Sequence, residues 1–170
     1  RFPNQTVECG SRYYWDVDGI YSHILRCLSE LGEREIHIDS VGIDTWGVDF
    51  VPFGADGLPL RNPRCYRDTY TNGAMEQLFA QMPKEEVYRR TGVQFMNINS
   101  LFQMWSQRRD NDSAFLAAHK LLFVPDALCY MLTGEAVCEH TILSTSQLTD
   151  VATGHPDADL MRLVGIKESQ

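Results

Sequence analysis

The stretch Ile38-Asp39-Ser40-Val41-Gly42-Ile43-Asp44-Thr45-Trp46-Gly47-Val48-Asp49-Phe50 constrains the fold more than any other part of this chain. Apolar and polar residues alternate on either side of Thr45-Trp46-Gly47, and a period of two marks a strand with one buried face. Two half-buried strands, the second running through Phe53, are expected to meet at that turn. The loop between them carries an indole, a glycine and two nearby carboxylates, Asp44 and Asp49, and is the leading candidate site.

The flanking segments supply the rest of the layers. Tyr13-Tyr14-Trp15 is aromatic and strand-like, and Asp16 or Asp18 is placed to cap a helix by accepting backbone N–H bonds. Ile20, Ile24, Cys27, Leu28 and Leu31 recur at helical spacing, so an amphipathic helix is expected from Ile20 to Leu31, stopped by Gly32. Ala55-Asp56-Gly57 signals a turn, and Pro59 and Pro63 keep the next segment extended.

Helical patterns then take over. One runs through Met75, Leu78, Phe79 and Met82 to Pro83, and a second spans Lys84 to Thr91 and closes at Gly92. Asn99 caps a third through Leu101, Met104 and Trp105; Ala114 to Leu121 forms a fourth; Pro125-Asp126 starts a fifth that ends at Gly134. Glu135 to Thr149 reads equally as a strand or a short helix, and Asp157 or Asp159 begins a last helix ended by Gly165. Strands around one helix followed by a run of helices give an α/β or α+β class.

Composition narrows the function classes. A chain of 170 residues, 44% hydrophobic and 22% charged, fits one compact domain. The net charge of −8 argues against a chain that works by neutralising nucleic-acid phosphates, and Arg89-Arg90 and Arg108-Arg109 read as solvated helix faces. No apolar run approaches the roughly 20 residues that cross a bilayer, and no basic-then-apolar leader is present. A cytoplasmic protein with no nucleic-acid or membrane partner is expected. Cys9, Cys27, Cys65, Cys129 and Cys138 are scattered without a Cys-x-x-Cys pair, so reduced thiols are expected rather than disulfides or zinc.

Several constellations can carry chemistry. Asp44 and Asp49 could act as a carboxylate pair across a sugar bond, or simply shape the turn. Trp46 offers an indole face for the apolar side of a sugar ring and Gly47 lets a ligand approach the backbone, or the two are a core tryptophan and a turn glycine. Tyr66-Arg67-Asp68 places a ring, a cation and a carboxylate in one extended segment, suited either to vicinal hydroxyls or to a surface ion pair. His23, His37, His119, His140 and His155 have no partner at metal-ligand spacing. Neither Gly-x-x-x-x-Gly-Lys-Ser/Thr, Gly-x-Gly-x-x-Gly nor Gly-x-Ser-x-Gly occurs.

Taken together, Tyr14-Trp15-Asp16-Val17-Asp18, the Ile38–Phe50 stretch, Tyr66-Arg67-Asp68 with Thr71-Asn72-Gly73, Thr91-Gly92-Val93-Gln94-Phe95, Val124-Pro125-Asp126, Leu132-Thr133-Gly134-Glu135 and Ser144 to Asp150 resemble the FGGY carbohydrate kinases, and within them the rhamnulokinase branch. The resemblance runs from about Tyr13 to Ile166; the Asp44–Phe50 motif is specific to the branch, whereas the Pro-Asp and Leu-Thr-Gly pieces mark the superfamily. It implies an actin/ribonuclease H-like sugar-kinase domain with a helical insertion and an incomplete sheet, with residues 1–170 as part of the amino-terminal, sugar-binding domain. The implied reaction transfers the γ-phosphoryl of ATP, with Mg²⁺, to O1 of L-rhamnulose in L-rhamnose catabolism.

The resemblance also places substrate contacts at the Gly47 backbone with Trp46 and Val48 beside it, and at Tyr66, Arg67 and Asp68. Two departures stand out: Tyr70 occupies a place where many relatives carry arginine, and a tryptophan usual near the tail is replaced around Pro156. No catalytic base, ATP contact or metal ligand is assigned here, because the phosphate-loop strand and second domain that carry them in the family are not in this sequence. The piece alone is therefore expected to be inactive, and an unpaired sheet edge is expected to favour self-association. A kinase for another ketose, such as fuculose or xylulose, and a sugar-binding module without chemistry are the alternatives.

Overall fold

The computed structural model describes all of residues 1–170. Strands β1 (Thr6–Cys9) and β2 (Arg12–Trp15) pair antiparallel with Thr6 opposite Trp15. Their two-residue turn is Gly10-Ser11, with φ of 57° and 63°, the left-handed pair that matches the twist of a tight hairpin. Helix α1 (Val17–Glu33) follows at once because the Asp16 carboxylate accepts the Gly19 N–H at 2.9 Å. It begins three residues before Ile20, and Ile20, Tyr21 and Ile24 form its inward stripe.

Strand β3 (Phe50–Phe53) pairs antiparallel with β4 (Lys120–Phe123), Phe50 opposite Phe123 and Val51 opposite Leu122. This ladder divides the interior. Phe50, Leu121 and Phe123 face a cluster with Leu78, Val87, Leu101, Phe102, Leu160 and Val164, while Val51, Phe53 and Leu122 face Trp15, Val17, Cys65, Val124 and Leu128. Strands buried on both faces read as continuous apolar runs, as Phe-Val-Pro-Phe and Leu-Leu-Phe do.

Helices α2 (Ala74–Phe79), α3 (Lys84–Thr91), α4 (Ser100–Arg109), α5 (Ser113–Ala117), α6 (Val124–Thr133), α7 (His140–Ser144) and α8 (Ala158–Val164) complete a mixed α/β domain with small sheets. The expected stops at Gly92, Gly134 and Gly165 are left-handed, with φ of 65°, 77° and 77°.

Two expectations are corrected. The strand expected over Ile38–Ile43 is not formed: Ile36, Ile38 and Val41 are exposed and no ladder runs along them. Alternation gives a strand a face to bury but not an edge to pair with: β3 pairs with β4 on one side, and on the other its Pro52 carbonyl accepts the Leu60 N–H at 2.8 Å, so neither side takes up Ile38–Ile43. The helix expected over Ala114–Leu121 is α5 followed by β4, because Ala118 turns extended (φ −63°, ψ 128°) and Leu121 enters the central ladder. The undecided Glu135–Thr149 segment contains a short helix, α7, capped by the Glu139 carboxylate. All five cysteines are free thiols.

Asp126, near the start of α6, is buried, and its two carboxylate oxygens face the Glu139 N–H at 3.3 Å. Burial pushes its carboxyl from 3.8 up to about 6, despite that N–H. Between those values the folded chain binds more protons than the unfolded one, so this group's contribution to stability falls as pH rises through the window and its full cost is present above about 6. Relative to Asp126→Asn, the wild type is expected to lose about 2 kcal/mol between about pH 4 and pH 7 in urea unfolding; a pH-independent difference would contradict this.

Candidate functional site

The leading loop is organised around Asp49, which is fully buried. Its Oδ2 accepts the indole N–H of Trp15 at 2.5 Å, the indole N–H of Trp46 at 3.0 Å and the Tyr66 backbone N–H at 3.3 Å. Its Oδ1 accepts the Gln103 amide at 2.8 Å. Burial raises the carboxyl to about 6, against the pull of these donors. A carboxylate holding four donors is a structural hub rather than a free base. Asp44 is exposed and shares none of these bonds, so the two aspartates do not act as a matched pair.

Asp49 is presented by a strained turn. Its N–H donates to the Gly47 carbonyl at 2.9 Å across Val48, whose φ is 70°. An i→i+2 bond around a positive φ is a γ-turn of the uncommon, strained kind, and a β-branched residue there is a marked outlier. The Val48 carbonyl accepts the Ser100 hydroxyl at 2.7 Å and the Gln103 amide at 3.2 Å. Space at Gly47 is tight: a Cβ there would lie 3.3 Å from Thr145 Oγ1, which would have to give by a few tenths of an ångström, and 3.7 Å from Ile142 Cδ1, at the end of α7. The backbone N–H groups of Gly47 and Val48 donate to no protein acceptor, which leaves two adjacent donors free for a ligand oxygen.

Trp46 is half-buried, its ring 4.7 Å from that of Trp15 and tilted by 49°. Its N–H is spent on Asp49, which leaves the ring itself as its remaining contact surface. Tyr66 joins this aromatic group, 5.9 Å from Trp15, and its hydroxyl accepts a bond from Arg67 Nε at 3.2 Å. Arg67 is exposed above both rings, and the bond it donates to the Tyr66 hydroxyl raises its already high pKa.

Asp68 points the other way and is buried. It accepts from Arg12 at 3.3 Å, from the Tyr13 N–H at 2.8 Å and from the Tyr70 N–H at 2.9 Å, so it ties the β1–β2 hairpin to the turn at Thr69–Thr71. The structure thus brings Trp46, Gly47, Val48, Tyr66 and Arg67 around the Asp49 hub, with Asp68 behind them.

Sequence reasoning did not single out Ser100 and Gln103. Helix α4 is buried around most of its circumference, and Ser100, Gln103 and Gln107 lie at i, i+3 and i+7 as a polar stripe within it. Gln103 also takes the Tyr70 hydroxyl on its Oε1, and Gln107 accepts from Arg61 at 3.0 Å. That spacing of buried-size polar residues among Leu101, Phe102 and Met104 was the available signal.

No three His, Cys, Asp or Glu side chains come together as a metal site, and no helix is long and apolar enough to cross a membrane. A cleft of about 690 Å³, lined by Trp105, Arg108, Arg109, Arg162 and neighbours, shares no residue with the loop. Its cations are already engaged: Arg108 with the Arg162 and Leu163 carbonyls, Arg109 with Asp110, and Arg162 with Asp159.

Comparison with known proteins adds a family-level finding. Residues 3–170 match the N-terminal domain of the FGGY family of carbohydrate kinases. The chain is 51% identical over 168 residues to a rhamnulokinase of Bacteroides thetaiotaomicron, covering 99% of this chain and 35% of that protein. It is 36% identical over 165 residues to a rhamnulokinase of Halalkalibacterium halodurans, covering 97% and 35%. Among solved structures, a xylulose kinase from Rhodospirillum rubrum superposes with a TM-score of 0.87 at 21% identity, covering 99% of this chain and 36% of that one. Plasmodium falciparum glycerol kinase with ADP superposes at 0.72 with 16% identity, covering 96% and 35%. The chain spans about a third of the length of these relatives.

Proposed function

This chain belongs to the FGGY family of carbohydrate kinases, and from that premise we propose that it is the sugar-facing part of an ATP-dependent kinase that phosphorylates O1 of L-rhamnulose. The choice of sugar is carried by the 51% identity to a rhamnulokinase. In this reading the Gly47 and Val48 amides and the Trp46 ring form one wall of the ketose pocket. Tyr66 and Arg67 stand at its rim, and Asp68 fixes the backbone that carries them.

The contribution of such a wall to phosphoryl transfer is alignment: holding the acceptor hydroxyl in line with the phosphate lowers the barrier without covalent chemistry. In this reading no ATP or Mg²⁺ contact is assigned to these residues. Asp49 is committed to its four donors, so neither proton removal nor phosphate neutralisation is assigned to this chain. These residues alone are expected to show no turnover, and a cytoplasmic setting suits a small soluble ketose.

The test is a coupled assay on the full-length protein with L-rhamnulose, fuculose and xylulose. A kcat/KM for rhamnulose at least about tenfold above the others is expected, the scale on which a pocket separates sugars differing in one group. A preference for another ketose would overturn the sugar and keep the kinase class; no ATP-dependent turnover of any would overturn both.

A further inference from the structure

We propose that Ser100 and Gln103 are positioning residues for the sugar site, acting as a clamp that holds the γ-turn at Val48 so that the free N–H groups of Gly47 and Val48 face the ketose. The inference rests on the ketose-kinase reading above.

Left to itself, valine at a φ of 70° leaves the left-handed region, because its branched side chain crowds the backbone there. Strain of this kind costs of order 1–3 kcal/mol and persists only where surrounding contacts over-determine it. At this turn the contacts converge on one atom. The Val48 carbonyl receives the Ser100 hydroxyl and the Gln103 amide, and the same amide reaches Asp49 Oδ1. Gln103 is fixed in turn by the Ile98 carbonyl at 2.8 Å and by the Tyr70 hydroxyl. Ser100 and Gln103 are at most 1% exposed and lie one helical turn apart on α4. Neither side chain is open to a ligand, so any effect they have on substrate passes through the turn. With the carbonyl of Val48 held by α4, the turn is fixed with the Gly47 and Val48 amides unpartnered.

The clamp predicts an unequal response to mutation. In the full-length kinase, Ser100→Ala is expected to raise the KM for the ketose by about three- to tenfold, the worth of one net hydrogen bond, with the KM for ATP unchanged. Glycine adopts a positive φ without strain, so in a Val48→Gly background there is less for the clamp to resist. There the same Ser100→Ala change is expected to shift the ketose KM by less than about twofold.

Wild-type turnover of L-rhamnulose is the separate check on the ketose-kinase reading, and if the wild type prefers another ketose the ratios are read on that one. An active wild type whose ketose KM is unmoved by Ser100→Ala would overturn the clamp. So would equal shifts in both backgrounds, or ketose and ATP KM values rising together. If Ser100→Ala unfolds the protein alone but not beside Val48→Gly, the clamp is supported; unfolding in both backgrounds makes Ser100 a packing residue and overturns it.

Discussion

Urea unfolding of an Asp49→Ala variant is expected to show a loss of about 3–5 kcal/mol, among the largest effects a single substitution produces. The carboxylate is the shared acceptor of two indoles, one amide side chain and one backbone N–H. Removing it leaves the Trp15 indole buried without a partner and the part-buried Trp46 indole and Tyr66 N–H without one, while the Gln103 amide keeps the Val48 and Ile98 carbonyls. Each orphaned buried group costs about 1–3 kcal/mol. Asp49→Asn keeps one acceptor oxygen but turns an N–H₂ toward groups that are themselves donors, so it is expected to recover about half the loss at most. Because burial holds the acid at about 6, the wild-type advantage over Asp49→Asn is largest at acidic pH and shrinks as pH rises through that value. A loss below about 1 kcal/mol for Asp49→Ala would mean that the hub does not hold the loop.

The largest functional effect is expected at Gly47. Gly47→Val in the full-length protein is expected to cut kcat/KM for the ketose about 100-fold, through a displacement of the wall on the order of 1 Å. A Cβ would lie 3.3 Å from Thr145 Oγ1 and 3.7 Å from Ile142 Cδ1, so an alanine presses on α7 and the branches of valine must move it. Gly47→Ala is accordingly expected to cost only about threefold. The KM for ATP should be unchanged in both variants. Wild-type kinetics in Gly47→Val would show that α7 yields freely and that the Gly47 backbone does not set the pocket.

The parts of this fold that were legible in the sequence are those specified locally. Helix α3 runs from Lys84 to Thr91 as expected because acidic residues open it, Arg89 and Arg90 close it, and Gly92 supplies a left-handed stop. What depended on distant partners was not legible. The Ile38–Ile43 alternation has the period of a strand, but no neighbouring edge in this chain accepts it. Lys120 and Leu121, the start of β4, read as the end of a helix, since a strand buried on both faces carries no alternation to betray it.

The candidate site divides along the same line. Trp46, Gly47, Val48, Tyr66 and Arg67 come together around one hub, and the family to which the chain belongs was visible in the same stretch. The hub itself does not stand out in the sequence, where both aspartates read either as a catalytic pair or as turn-shaping residues. Asp44 and Asp49 look equivalent in a linear sequence, yet one is exposed and the other is fully buried under two indoles. Only the fold brings Trp15 and α4, from opposite ends of a long sequence interval, onto the same carboxylate.

Amide hydrogen exchange on the full-length protein, with and without L-rhamnulose, tests the central claim most directly, because it reads the Gly47 and Val48 N–H groups themselves. Slower exchange in peptides spanning residues 44–52 on adding the sugar, with none at the cleft of Arg108 and Arg162, is the result predicted. Protection confined to other segments, with the 44–52 peptides unchanged, would contradict it.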